Sequence, residues 1–303
     1  MASEKRTAYS NKEMLEWTAH FSDIMNTSAE KIKLVNICGK EKNVVPTIET
    51  HKRVMIFADS THENLFYELW EKGLGEYDVW FAEGLIPNDN VKHGKIMDFA
   101  TRKLSNPSVI FIVNENTRES YRIGMKNEFF SKGTVKYVGN EIRAVIMSIL
   151  GVDTHDTIAI VSGETIVIES AIIASEGHII AVEPNEQDLR TMEENLNKFG
   201  IHNVTIIPDL SEESLDKIPV PRLSFIVATK FLEKDIERLL KKNPKMQFVI
   251  YTLELDVLSG IKQIFEKFNI QNMEVTQITI SKTDKNSVFV TQPSPWLITG
   301  EIL

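Results

Sequence analysis

The residues best suited to chemistry follow an apolar run near the middle of the chain. Val161-Ser162-Gly163-Glu164-Thr165 closes the run Thr157–Val161 and opens a helical stretch. A nucleotide-type cofactor needs such a turn, because glycines let the backbone approach the ligand and the following helix offers unpaired N–H groups. Gly163 is the one glycine in it, and Glu164 would bring a carboxylate to the end of a bound ligand. The alternative is a compact strand–helix turn in which Ser162 caps the helix. Glu183 ends the next run, in Ala181-Val182-Glu183-Pro184, 20 residues after Gly163. That is close to the usual interval between such a loop and a ribose-binding acid. Glu183 either accepts from both ribose hydroxyls, or is an exposed strand-end acid or the cap of the helix opening at Asn185. Asp209, in Ile207-Pro208-Asp209, either accepts from an adenine amino group or caps a helix before Ser211.

Other chemistries find little support. His20, His51, His62, His93, His155, His178 and His202 are scattered and form no H-x-x-H or Cys/His cluster, so no metal site is expected. Cys38 is the single cysteine, which excludes a disulfide framework and fits a small core residue. Ser162-Gly163 is not G-x-S-x-G, so a hydrolase elbow is absent. A net charge of −9 argues against a nucleic-acid backbone as main partner, since the cations Lys241, Lys242 and Lys245 sit among acidic runs. No apolar run approaches the ~18 residues of a membrane helix, and the N-terminus has no apolar signal region. The expectation is a soluble, cytoplasmic protein without a membrane partner.

These residues need a scaffold, and 303 residues with 42% hydrophobic content can build two domains. In the front part, residues 11–25 read as a helix, an apolar run follows at Ile32–Ile37, and Arg53–Ala58 reads as a strand. A helix over 61–72 stops at Gly73 and Gly75, and strands follow at Tyr77–Glu83 and Ser108–Val113. Polar, aperiodic sequence then marks a linker at 119–135, separating domains at 1–118 and 136–303. Beyond a helix at about 139–150 the alternation is regular. Strands fall at Thr157–Val161, His178–Val182, Val204–Ile207, Leu223–Val227 and Phe248–Tyr251, with helices between and after them. Two longer β segments, Met273–Ser281 and Val288–Ile298, close the chain as a hairpin. Five α/β repeats finished by a hairpin is the class I methyltransferase layout, a Rossmann-like α/β fold.

Several segments together resemble one family. Asn140-Glu141-Ile142-Arg143-Ala144, Ile168-Glu169-Ser170-Ala171 and Ala181-Val182-Glu183-Pro184-Asn185 occur in the order of its motifs. So do Glu193-Glu194-Asn195-Leu196, Thr252-Leu253-Glu254, Glu274-Val275-Thr276-Gln277 and Pro295-Trp296-Leu297-Ile298-Thr299-Gly300. The family is the precorrin-6Y methyltransferase subunit that methylates and decarboxylates a corrin precursor in cobalamin synthesis, and the likeness spans about residues 128–302. Val54–Asp59, Gly73–Trp80 and Glu83-Gly84-Leu85 resemble the C-terminal part of its partner, a tetrapyrrole methylase, which makes the front domain a truncated α/β unit of that kind.

The resemblance implies S-adenosylmethionine as cofactor, held by Ser162, Gly163, Glu164, Thr165, Glu183 and Asp209. It also implies a tetrapyrrole substrate across the strand ends near Thr229, Thr252 and Glu254, and a homo-oligomer. No catalytic residue is singled out, because methyl transfer from a sulfonium needs mainly positioning. The sequence departs from the family where cofactor should lie. Its D-[IV]-G-x-G-x-G loop is replaced by Ile160-Val161-Ser162-Gly163-Glu164, and Val227-Ala228-Thr229-Lys230 has no glycine. By the same resemblance, the front half is expected to lack the subdomain that would carry a second glycine-rich turn. The expectation is a divergent member with eroded loops, non-catalytic and binding a tetrapyrrole or a protein partner. The alternative is an active, decarboxylating precorrin methyltransferase.

Overall fold

A computed structural model describes residues 9–117, 123–134 and 138–303. The chain forms two compact units, Met1–Glu119 with Lys198–His202, and Ser120–Asn197 with Asn203–Leu303.

In the first unit, strands β1 (Lys33–Asn36), β2 (Arg53–Ala58), β3 (Asp78–Glu83), β4 (Lys92–Lys95) and β5 (Ser108–Val113) form one sheet in the order β1-β2-β5-β3-β4. Only the β1–β2 pair is parallel. After Arg53, β2 is apolar because both its faces are covered. Val54 and Ile56 join a core with Phe66, Leu69 and Phe81, while Met55 and Phe57 join Trp17, Phe21 and Phe111. Trp17 and Phe21 come from α1 (Asn11–Ile24), whose Ser10 and Glu13 form a capping box.

Two elements here escape sequence reading. In α2 (Val44–Thr50), Pro46 suggests a breaker, yet it sits in the first turn, where its missing N–H has no helical partner to lose. β4 (Lys-His-Gly-Lys) is an edge strand without an apolar face. The expected helix over 61–72 is broken into a 3-10 turn at Ser60–His62, α3 (Leu65–Leu69) and a wide turn at Trp70–Leu74 in which Gly73 has φ 84°.

The second unit opens with α4 (Asn140–Leu150) and continues as β6 (Thr157–Val161), α5 (Glu164–Ile173), β7 (His178–Val182), α6 (Glu186–Phe199), β8 (Val204–Ile207), α7 (Glu212–Asp216), β9 (Leu223–Val227), α8 (Leu232–Lys242), β10 (Gln247–Thr252) and α9 (Leu255–Lys267). β11 (Gln271–Gln277), β12 (Ser281–Thr283), β13 (Phe289–Thr291) and β14 (Trp296–Glu301) complete it. The seven-stranded sheet runs β11-β14-β10-β9-β6-β7-β8. β6 to β10 are parallel, and β14 pairs antiparallel with both β10 and β11. The two closing segments expected as one hairpin each divide. β11 and β14 enter the main sheet, whereas β12 and β13 form a separate, exposed ribbon. Strand order reverses beside β6, so a crevice opens at the C-terminal ends of β6 and β9.

The described part of the expected linker, residues 123–134, is a strap held on the second unit by buried side chains. Glu169 accepts the N–H groups of Gly124 and Met125 at 2.9 Å each. Arg143 donates from Nε to Glu169 Oε1 at 2.5 Å, from Nη1 to Asn127 Oδ1 at 3.0 Å and from Nη2 to the Met125 carbonyl. Asn195 accepts from the Ser131 N–H at 2.7 Å, and Asp188 accepts from the N–H and hydroxyl of Thr134 at 2.7 and 2.6 Å.

Candidate ligand-binding site

A cavity of about 680 Å³ occupies the crevice, lined in part by Val161, Ser162, Val182, Pro184, Pro208, Asp209, Leu210 and Val227. Thr229, Lys230, Phe231, Lys234, Asp235, Arg238 and Glu254 complete the lining. Four of the residues expected from sequence therefore meet there: Ser162, Asp209, Thr229 and Glu254. Gly163, Glu164, Thr165, Glu183 and Thr252 do not line it.

The turn explains part of this division. Ser162 has φ 56°, a left-handed conformation usually given to glycine. It is not the helix cap. Gly163 occupies that position, with no side-chain cap. Gly163 is a glycine for packing, since a Cβ there would lie 2.6 Å from Ile160 Cγ2 and 3.1 Å from Phe225 Cδ1. Glu164 turns away from the cavity. Its Oε1 accepts from Asn195 Nδ2 at 2.9 Å, and its Oε2 is buried without a partner. Its carboxyl is pushed up to about 7 by burial, with the nearby charges of Asp188 and Glu183 adding to the effect and the Asn195 bond opposing it. Thr165 is buried within α5.

Glu183 is 4% exposed and accepts from the Asn185 N–H at 3.0 Å. Burial raises its carboxyl above the usual range against that hydrogen bond, and Asp188 raises it further. Asp209 is exposed. It accepts from the Ser211 N–H at 2.9 Å and the Ser214 hydroxyl at 3.0 Å, and the bonds to Ser211 hold its carboxyl low. Thr229 Oγ1 accepts from the Phe231 N–H at 3.2 Å, and Thr252 Oγ1 accepts from the Glu254 N–H at 2.9 Å. Both threonines thus shape the turns that leave β9 and β10.

Sequence reading missed the α8 wall. Lys230, Lys234 and Arg238 recur every four residues, so they share one face of the chain entering and forming α8. Among the described residues none of the three has a hydrogen bond or an ion pair. Asp209, Asp235 and Glu254 balance their charge within the same lining. Phe231, 56% exposed, stands at the rim with the Lys230 ammonium 5.1 Å from its ring centre. In sequence, such cations read as a solvated helix face, and only the spacing hints otherwise. Among the described residues no group of three or more His, Cys, Asp or Glu side chains is placed to hold a metal ion. No helix among them is long and apolar enough to cross a membrane.

The sheet order, the antiparallel β14 and the crevice beside β6 define a class I S-adenosylmethionine methyltransferase fold. Within that class the chain is similar to several precorrin methyltransferases. The chain is 28% identical over 151 residues, 47% of its length and 79% of the relative's, to a probable cobalt-precorrin-6B C(15)-methyltransferase (decarboxylating) of Methanosarcina acetivorans. It superposes with a TM-score of 0.55 and 27% identity on a precorrin-6Y C5,15-methyltransferase of Geobacter metallireducens, covering 59% of this chain and 96% of that one. The C-terminal domain of the Rhodobacter capsulatus precorrin-6Y C5,15-methyltransferase shares the fold at 15% identity, with a TM-score of 0.51 and coverage of 60% and 99%. No protein-family model matches the chain. Over about half its length the chain thus resembles precorrin methyltransferases, at 28% identity or below.

Proposed function

We propose that the second unit is a divergent, non-catalytic relative of these methyltransferases that binds a polycarboxylate tetrapyrrole in the crevice. The carrying observation is an exchange of hooks. Glu183, the acid in the ribose position, is buried against the Asn185 N–H, while Lys230, Lys234 and Arg238 face the cavity without ion pairs. A planar, polyanionic ligand would rest on Phe231 and the apolar wall and take the three cations as partners. This reading includes descent of the first unit from the C-terminal part of a tetrapyrrole methylase, supported by the Gly73–Trp80 segment. It also includes self-association, supported by the exposed edge strand β11 and the exposed Val288, Phe289 and Val290 of the ribbon.

One observation favours the alternative, an active methyltransferase using S-adenosylmethionine. Ser162 holds the left-handed turn that a glycine loop would supply, and it lines the cavity with Asp209. The deciding experiment pairs calorimetric titration with S-adenosylmethionine and S-adenosylhomocysteine with an absorbance titration against uroporphyrin, a polycarboxylate tetrapyrrole. The proposal expects porphyrin binding that weakens by tenfold or more in Lys234→Ala/Arg238→Ala, and no donor binding up to millimolar concentration. Turnover of the methyl donor on a precorrin by the wild type overturns it.

A further inference from the structure

The strap is fastened beside the turn by an unusual set of groups. The Cα of Gly133 faces three oxygens from the helices beneath. A Cβ built there would lie 2.5 Å from Asp188 Oδ1, 3.4 Å from Glu164 Oε2 and 3.4 Å from Thr191 Oγ1. Thr191 donates its hydroxyl to the Gln187 carbonyl at 3.1 Å, so it has no proton left for a carboxylate. Asp188 is occupied by Thr134, and Asn195 bridges Ser131 to Glu164 Oε1. Glu164 is 7% exposed, and its Oε2 is aimed into this cluster with no hydrogen-bond donor among the described residues. The charged groups acting on it are Asp188 from α6 and Glu183 from the end of β7, both acidic, and Lys132 of the strap is exposed. The N-terminus of α5 favours a negative charge there, but among the described residues no cation pairs with Glu164.

We infer that Glu164 is the proton-operated latch of the strap: protonated, it holds residues 131–134 on α5 and α6, and ionised, it lets them go. The protonated carboxyl supplies the one missing donor among acceptors, and ionisation places a third negative charge in a buried acidic cluster. The inference is independent of what the cavity binds.

The sign follows from linkage. With the strap closed, Glu164 keeps its proton to about pH 7, and with the strap open and the carboxyl in water it ionises near the ordinary glutamate value of 4.5. Between those values the closed form holds a proton that the open form has lost. The opening constant therefore climbs by up to tenfold per pH unit across that window and levels above about pH 7.

Hydrogen exchange of the full-length protein, corrected for the intrinsic pH dependence of exchange, reads the latch at the Ser131 and Thr134 amides. The expected result is protection that falls through the window and then levels. Glu164→Gln keeps the acceptor for Asn195 and carries a permanent donor, so its protection is expected to be high and independent of pH. Asp188→Asn removes one neighbouring charge and is expected to move the wild-type transition to lower pH. Wild-type protection without pH dependence, or the same pH profile in Glu164→Gln as in wild type, overturns the inference.

Discussion

Removing the guanidinium of Arg143 should be the most damaging single change in the second unit. Arg143 and Glu169 are both fully buried, 2.5 Å apart between Nε and Oε1. Arg143 also donates to the Met125 and Val138 carbonyls and to Asn127, and its guanidinium lies 4.9 Å from the Phe130 ring centre. Arg143→Met keeps volume and apolar stem but leaves the Glu169 charge with only the two strap N–H groups. Breaking one side of a buried pair costs about 3–5 kcal/mol, a large share of a total stability of about 5–15 kcal/mol. With a urea slope of about 2 kcal/mol/M, a loss of about 4 kcal/mol moves the midpoint down by about 2 M. The assay is urea unfolding followed by far-ultraviolet circular dichroism, with hydrogen exchange assigning the transition to residues 138–303. The double variant Arg143→Met/Glu169→Leu removes the stranded charge and should recover most of the loss, leaving about 1–3 kcal/mol for the Gly124 and Met125 amides without acceptors. The reasoning fails if Arg143→Met costs less than about 1 kcal/mol, or if the double variant is no more stable than the single one.

Other outcomes follow from the same geometry. Ser162→Gly should stabilise by roughly 1 kcal/mol, because glycine relieves the left-handed backbone at that position; thermal denaturation checks it. Gly163→Ala should destabilise by about 1–3 kcal/mol, since its Cβ would enter the contact of Ile160 with Phe225, and an unchanged melting temperature would contradict that packing. Asp156 is buried, which alone would raise its carboxyl, yet the Arg222 fork at 2.5 and 2.7 Å and the Asp153 N–H hold it low. Its contribution is therefore present above its unfolded value and lost as pH falls through its lower folded value. Asp156→Asn should flatten that acid limb in a series of unfolding curves. Gly133→Ala should expose the Ser131 and Thr134 amides to exchange at every pH, because Asp188, fixed by Thr134, cannot yield to the new methyl group.

The parallel α/β core was legible because β6, β7, β8 and β9 are short β-branched runs at regular spacing, and all four begin and end where the sequence places them. The strap was not legible. Residues 123–134 have no hydrophobic period because polar partners distant in sequence hold them, Glu169 and Asn195 lying 45 and 64 positions from Gly124 and Ser131. At the candidate site, the turn could be located but the aim of its side chains could not. Ser162 and Glu164 are two residues apart, yet one faces the cavity and the other faces Asn195. That choice is set by the left-handed backbone at Ser162 and by the amide waiting on α6.

The positions that carry the family likeness share a task in this structure. Arg143, Glu169 and Asn195 fall in three of the motif segments, and all three bind the strap rather than the cavity. Glu183 falls in a fourth and is turned onto its own chain. The cavity lining is instead drawn largely from residues outside those motifs, including Pro208, Lys230, Phe231, Lys234 and Arg238. The motif positions therefore serve the scaffold and its strap, and the cavity wall is drawn mainly from residues outside those motifs. A search for that ligand should start from the α8 cations and Phe231. Should the porphyrin titration fail while Lys234→Ala/Arg238→Ala leaves the melting temperature unchanged, the cations are free of a structural role, and other planar polyanions become the next probes of the same wall.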